Sequence, residues 1–204
     1  MTEHNLNAST RGPTDHAIRD QIVDAATGHF THYGYEKTTV SDLARAVGFS
    51  KAYIYKFFKS KQEIGEVICS NRLAMIMHRV EEALSESPSA SDKIRRLFRT
   101  VAASGTELFF HDRKLYDIAA VASRDDWPAA QNHKEQLHQL VKTIIRQGRE
   151  AGEFERKTPL DETASAVWLV LRPFVDPVQL QSGLENADES AHQLASLVLR
   201  SLSP

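Results

Sequence analysis

The chain has 204 residues, 41% of them hydrophobic, enough for one domain with a good core or for a small module on a larger one. Its formal net charge of -2 excludes a polyanion binder in which the whole surface takes part. The single cysteine, Cys69, excludes an intrachain disulfide. No apolar run approaches the about 20 residues of a membrane span, and the opening MTEHNLNASTRGPTD lacks the apolar core of a signal peptide. A cytoplasmic protein is the expectation.

Residues 1–14 are polar, include Gly12 and Pro13, and read as a flexible arm. Ile18, Ile22, Ala26, Phe30 and Tyr33 repeat at helical spacing, and Gly34 stops that helix. Thr39 with Asp42 makes a capping-box pattern that opens a second helix, with Val40, Leu43, Ala44 and Val47 on its buried side. Gly48 suits the corner between two crossing helices. Ser50 caps a short third helix predicted to run to about Phe57, and Ser60 with Glu63 opens a long fourth one to about Leu84. The clearest linker is SESPSAS, residues 85–91.

Beyond it the apolar spacing predicts a helix from Ile94 to Phe109, a shorter one from Leu115 to Val121, and one carrying Leu137 to Ile145. Thr158, Pro159 and Asp161 supply a cap, a first-turn proline and an N-terminal acid for the next helix, which carries AVWLVLRPFV. Pro173 is expected to kink or end it, and Pro177 to discourage its continuation. A last helix spans about Asp188 to Leu202. Nothing alternates with period two for long enough to argue for a sheet. The predicted fold is all-α, about nine helices, divided into an arm (1–14), a helix-turn-helix head (15–62) and a larger C-terminal body (63–204).

Tyr35 to Lys61 carries six basic residues against two acids, whereas residues 66–204 carry 17 basic and 20 acidic ones. One local patch is therefore cationic on a near-neutral chain. A helix fits the DNA major groove if a second helix fixes its angle and donors around it hold phosphates. Val40, Leu43, Ala44, Val47 and Ile54 are suited to join the two helices. Lys51, Ala52, Tyr53, Tyr55 and Lys56 are left to face outward, the first three in the turn that reads base edges. Ala52 is small enough for close approach. Thr39 and Lys61 sit at helix N-termini, which favour anions.

The segment AATGHFTHYGYEKTTVSDLARAVGFSKAYIYKFFKSKQEI resembles the DNA-binding domain of the tetracycline-repressor (TetR) family of bacterial transcription regulators. The resemblance covers about a quarter of the chain; the remainder matches in helical character and length. It implies that Thr39, Tyr55 and Lys61 contact phosphates, and that Lys51, Ala52, Tyr53 and Lys56 lie at or near bases, with Ser50 as the cap that presents them. Two positions depart from the family pattern: Ala52 stands where Gly is frequent, and Phe57 where Tyr is frequent, so Phe57 is assigned no phosphate. The bulky Tyr53 occupies a position where smaller residues are common, so operator preference is not inherited. The resemblance also implies a homodimer paired through its last two long helices, a ligand cavity in the body, and repression relieved by ligand.

In the body, aromatic residues suit an apolar cavity, and the candidates are Phe109, Tyr116, Trp127 and Trp168, with Met75 and His78 reaching from the long fourth helix. The alternative for each is ordinary core. The run from Ala164 to Val175 is apolar around its circumference and calls for cover on more than one side, by a partner subunit or by its own chain. His29 with His32, and His133 with His138, lack the further ligands of a metal site, and Cys69 reads as an inert packed thiol. No phosphate loop, nucleophile elbow or HExxH appears, so neither a metal, a cofactor nor catalysis is expected. The reading is a dimeric repressor of a near-palindromic DNA operator, released by an apolar or aromatic small molecule and independent of membranes. The alternatives are a constitutive or protein-antagonised repressor and, more remotely, a small helical carrier or enzyme.

Overall fold

The computed structural model describes residues 14–204. The arm of the sequence reading, apart from Thr14, lies outside them. Thr14 itself accepts a hydrogen bond from Ala17 N and opens the first helix. Among the described residues there are ten α-helices, one 3-10 turn (Leu184–Asn186) and no strand. None of these helices is long and apolar enough to cross a membrane.

The head consists of α1 (Asp15–Tyr33), α2 (Val40–Val47) and α3 (Lys51–Ile54). Each boundary has a local cause. Gly34 ends α1 at φ 89°, and Gly48 ends α2 in the left-handed region at φ 79°, a conformation that costs an L side chain. Ser50 Oγ accepts from Tyr53 N at 3.1 Å to start α3. That helix is shorter than its apolar pattern suggests. After Ile54 the backbone tightens into three-residue hydrogen bonds, Lys56 N to Tyr53 O and Phe57 N to Ile54 O, so the stretch to Phe57 is a turn.

Then α4 (Lys61–Ser85) runs for 25 residues, about 37 Å at 1.5 Å per residue. It is followed by α5 (Ala90–His111), α6 (Arg113–Arg124), α7 (Pro128–Glu150), α8 (Leu160–Val175), α9 (Pro177–Gln181) and α10 (Ala187–Ser201). The linker shrinks to residues 86–89. Glu153 reaches back to accept from Ala90 N at 2.9 Å and Ser91 N at 3.0 Å, and Ser89 Oγ accepts from Asp92 N. Thr158 does not cap α8. Its backbone N–H turns to Glu155, and Pro159 takes the cap position with no side-chain hydrogen bond among the described residues. Pro173 lies within α8, two residues before its end, and Pro177 opens α9.

The buried side chains form two clusters. One fills the body between α5, α7, α8 and α10, around Ile94, Leu97, Phe98, Leu137, Val141 and Leu171. The other fills the head around Ile22, Phe30, Leu43, Ile54 and Phe58. This second cluster does not stop at residue 62. It takes in Ile64, Ile68 and Cys69 of α4, Ile118, Val121 and Ala122 of α6, then Trp127 and Ala130. Helix α4 therefore belongs to both cores, since Val80 and Leu84 near its other end join the body. At Gly65 the head meets the α6–α7 corner. A Cβ there would stand 2.9 Å from the Tyr35 ring and 3.0 Å from Trp127.

Candidate functional site

The corner of α2 and α3 presents the cationic patch. Val40, Leu43 and Ala44 of α2 and Ile54 of α3 are buried between the helices, while Val47 is only half-buried. Arg45, Lys51, Ala52, Tyr55, Lys56 and Lys59 are exposed. The Lys51 ammonium lies 5.8 Å from the Tyr55 ring centroid and that of Lys56 lies 5.3 Å from the Tyr53 ring. Tyr53 is half-buried, its ring edge-packed between Phe49 and Phe57 at 5.0 and 5.3 Å. It is thus held by packing while Lys51 and Ala52 beside it stand free of the core.

Four side chains around this corner are committed to the fold itself. Thr39 and Asp42 close a full capping box. The Thr39 hydroxyl and amide both donate to Asp42 Oδ2, at 2.6 and 2.9 Å, and Thr39 Oγ1 accepts from Asp42 N at 3.2 Å. The Thr39 hydroxyl holds the Asp42 carboxyl below its ordinary range. Lys61 is half-buried: its Nζ donates to Tyr35 O at 2.9 Å and sits 4.2 Å from the Tyr35 ring centroid. Arg19, unmarked in the sequence, donates to Phe57 O and lies 4.3 Å over the Phe58 ring, pinning the turn after α3 to α1. No sequence signal exposes that link, because its partners are 38 residues apart.

The six candidate ligand residues do not share a cavity among the described residues. Met75, 61% exposed, lies in a surface cleft between α4 and α5 with Arg72, Arg79 and Glu107; His78 is exposed on the same helix. Phe109 packs on Phe110 and Tyr116 under the Arg113 guanidinium and borders a groove beside residues 181–186. Tyr116 is buried and donates to Pro177 O; burial raises its hydroxyl pKa to about 12. Trp127 is buried against Tyr35, with ring centroids 5.5 Å apart, as part of the head's core. Trp168 stacks on His138 at 5.7 Å in an outer groove between α7 and α8. Tyr116 and Trp127 are thus core, and Met75 and His78 fall on the solvent side of α4.

His133 is a buried polar residue that no sequence signal marks. It is buried in α7, burial lowers its pKa to about 4, and its Nδ1 has no hydrogen-bond partner among the described residues. Five-residue spacing to His138 gave no hint of this, since only packing sets which way the ring points. Among the described residues no group of three or more His, Cys, Asp or Glu side chains is placed to hold a metal ion.

Two helices crossing at a left-handed glycine, with a capped outer helix and a cationic rim, define a helix-turn-helix DNA-binding unit. Residues 22–67 match the model of bacterial regulatory proteins of the tetR family, and residues 90–198 match the tetracyclin repressor-like C-terminal domain. The chain belongs to the TetR family of DNA-binding transcriptional regulators, which are not enzymes.

It is 33% identical over 75 residues to the uncharacterized HTH-type transcriptional regulator YhgD of Bacillus subtilis (strain 168), a match spanning 37% of this chain and 39% of that protein. It is 26% identical over 187 residues to the HTH-type transcriptional regulator BetI of Cronobacter sakazakii, covering 89% of each. The crystal structure of FadR from Bacillus subtilis in complex with stearoyl-CoA superposes with a TM-score of 0.66 at 18% identity, over 90% of this chain and 98% of that one. The structural likeness extends over head and body alike.

Proposed function

We propose that this regulator is a homodimeric repressor that holds a near-palindromic operator and is released by a small apolar or aromatic molecule. The observation that carries the reading is the sharing of α4 between two cores: a change in the body reaches the head through one rigid element. Effector release needs only that the ligand favour one tilt of that helix over another, and tenfold release corresponds to about 1.4 kcal/mol. Dimerisation is supported by Leu169 on α8 and Leu197 on α10, 62% and 52% exposed on helices whose other faces are packed. A small-molecule effector is supported by the FadR relative, crystallised with stearoyl-CoA. Thr39, Tyr55 and Lys61 serve phosphates in this reading, Ser50 caps the helix that presents the bases' partners, and Lys51, Ala52, Tyr53 and Lys56 lie at or near the bases.

The test combines sedimentation with footprinting on DNA flanking the coding region. A species of twice 22.9 kDa should protect two half-sites about 34–36 Å apart. The small-molecule fraction of a host extract should lift that protection, and a disulfide between α4 and α5 should abolish the release while leaving DNA binding. A monomer on one half-site, or release unchanged by the disulfide, contradicts the reading. One observation favours a constitutive or protein-antagonised repressor instead: the apolar cavity between α4, α6 and α7 has room for about one water, near 20 Å³. Retained protection in every extract fraction would select that alternative.

A further inference from the structure

We propose that the effector enters the narrow apolar pocket between α4, α6, α7 and the α8–α9 corner, and that it is a small uncharged molecule with an apolar body and one hydroxyl or carbonyl group held by His133. This rests on the ligand-released reading above, and names the site and chemistry within it. The walls are Cys69 and Leu73 of α4, Ala119 of α6, Ala130 of α7 and Val175 of α8, with His133 among them. Apolar side chains dominate this lining, so a ligand's body is taken up by burial of carbon.

The polar functions lining the space are few. The Ser123 hydroxyl donates to Asp176 Oδ2 at 2.9 Å. Burial raises the Cys69 thiol to about 11, leaving a weak neutral donor. Lys134 also borders the outer groove, which Asp126, Glu135 and Asp176 line as well. His133 Nδ1 is a buried nitrogen with no partner among the described residues. A neutral imidazole offers one N–H and one lone pair, so it serves a hydroxyl or a carbonyl and gives an ion no counter-charge.

The cavity's place gives the ligand its effect. Apolar holes that accept a benzene ring measure about 150 Å³, so a space of about 20 Å³ must widen. Close-packed interiors pass such displacement on. Cys69 and Leu73 stand one and two turns beyond Gly65, where α4 presses on Tyr35 and Trp127. Parting the α4 wall therefore shifts the helix that carries Ile64 and Ile68 into the head's core.

The test titrates full-length protein with phenol, toluene, benzoate and benzylammonium by calorimetry, and follows the His133 ring by NMR. Phenol should bind once per chain and shift the His133 signals. It should bind about tenfold tighter than its isostere toluene, the worth of one hydrogen bond, and at least tenfold tighter than either ion. His133→Phe should erase the preference of phenol over toluene, and His133→Gln should restore part of it. Absence of saturable phenol binding, equal affinity for toluene in the unaltered protein, or a preference that survives His133→Phe overturns the proposal. Operator binding read in parallel separates the two claims. His133-dependent binding without DNA release upholds the site and refutes ligand release; DNA release without His133 dependence refutes the site.

Discussion

Lys51 and Lys61 carry the same charge but do different work. Lys51 is exposed and free of the core, whereas Lys61 ties the start of α4 to the Tyr35 carbonyl and ring. Lys51→Ala should weaken DNA binding and leave stability within about 0.5 kcal/mol. Lys61→Ala should weaken DNA of every sequence alike and also cost about 1 kcal/mol in denaturant unfolding. Tyr53→Phe keeps the ring between Phe49 and Phe57 and removes only the hydroxyl, so it should alter which operator bases are preferred without a stability cost. His133 supplies a pH prediction. Its ordinary value of 6.5 falls to about 4 on burial, so below pH 6.5 the unfolded chain takes up a proton that the folded one refuses. That contribution to stability is complete above pH 6.5 and is lost as pH falls toward 4, amounting to on the order of 3 kcal/mol. The stability gap between the unaltered protein and His133→Gln should change by about that amount between pH 7 and 4; parallel curves would contradict it. The polar residues of the head were legible because caps and turn glycines act within three or four positions. His133 and Arg19 were not, because their roles depend on partners brought close only by the fold.

At the scale of elements, α4 is the member on which the others depend. Its Ser60 cap was plain in the sequence, as was its length to within a residue, although Glu63 reaches back to Lys59 N and not to Ser60 to complete a capping box. Its double membership was not, because a helix buried against different partners at its two ends shows one continuous apolar pattern. Gly65 marks the crossing. Gly65→Ala must displace Tyr35 or Trp127, both ring systems in a packed core, and should cost about 1–3 kcal/mol by thermal or denaturant unfolding. A neutral result would mean that the head and the α6–α7 corner are not in firm contact. The six candidate lining residues lie apart for a related reason. Aromatic composition says that large rings are buried somewhere in the body, yet Tyr116 and Trp127 are spent on the core while Met75 stays in solvent. The C-terminal end of α3 and the cap of α8 also escaped prediction, since both were settled by local hydrogen bonds that other residues claimed first.

For the whole molecule, the all-α fold followed from periodicity alone, and the head's identity from the ordered set running from Thr39 to Lys61. What a single chain displays is half of the proposed machine: a cationic corner, a long shared helix, and apolar residues on α8 and α10 awaiting a second copy. On the proposed reading, the spacing between two heads is the quantity that an effector alters. The direct measurement is the equilibrium affinity of the full-length protein for DNA flanking its coding region, followed as salt rises. A dimer that neutralises six to ten phosphates should lose about a thousandfold or more between 50 and 200 mM salt, with two protected half-sites on one face of the duplex. Affinity that is flat with salt, or no binding to any such fragment at low salt, would contradict the account.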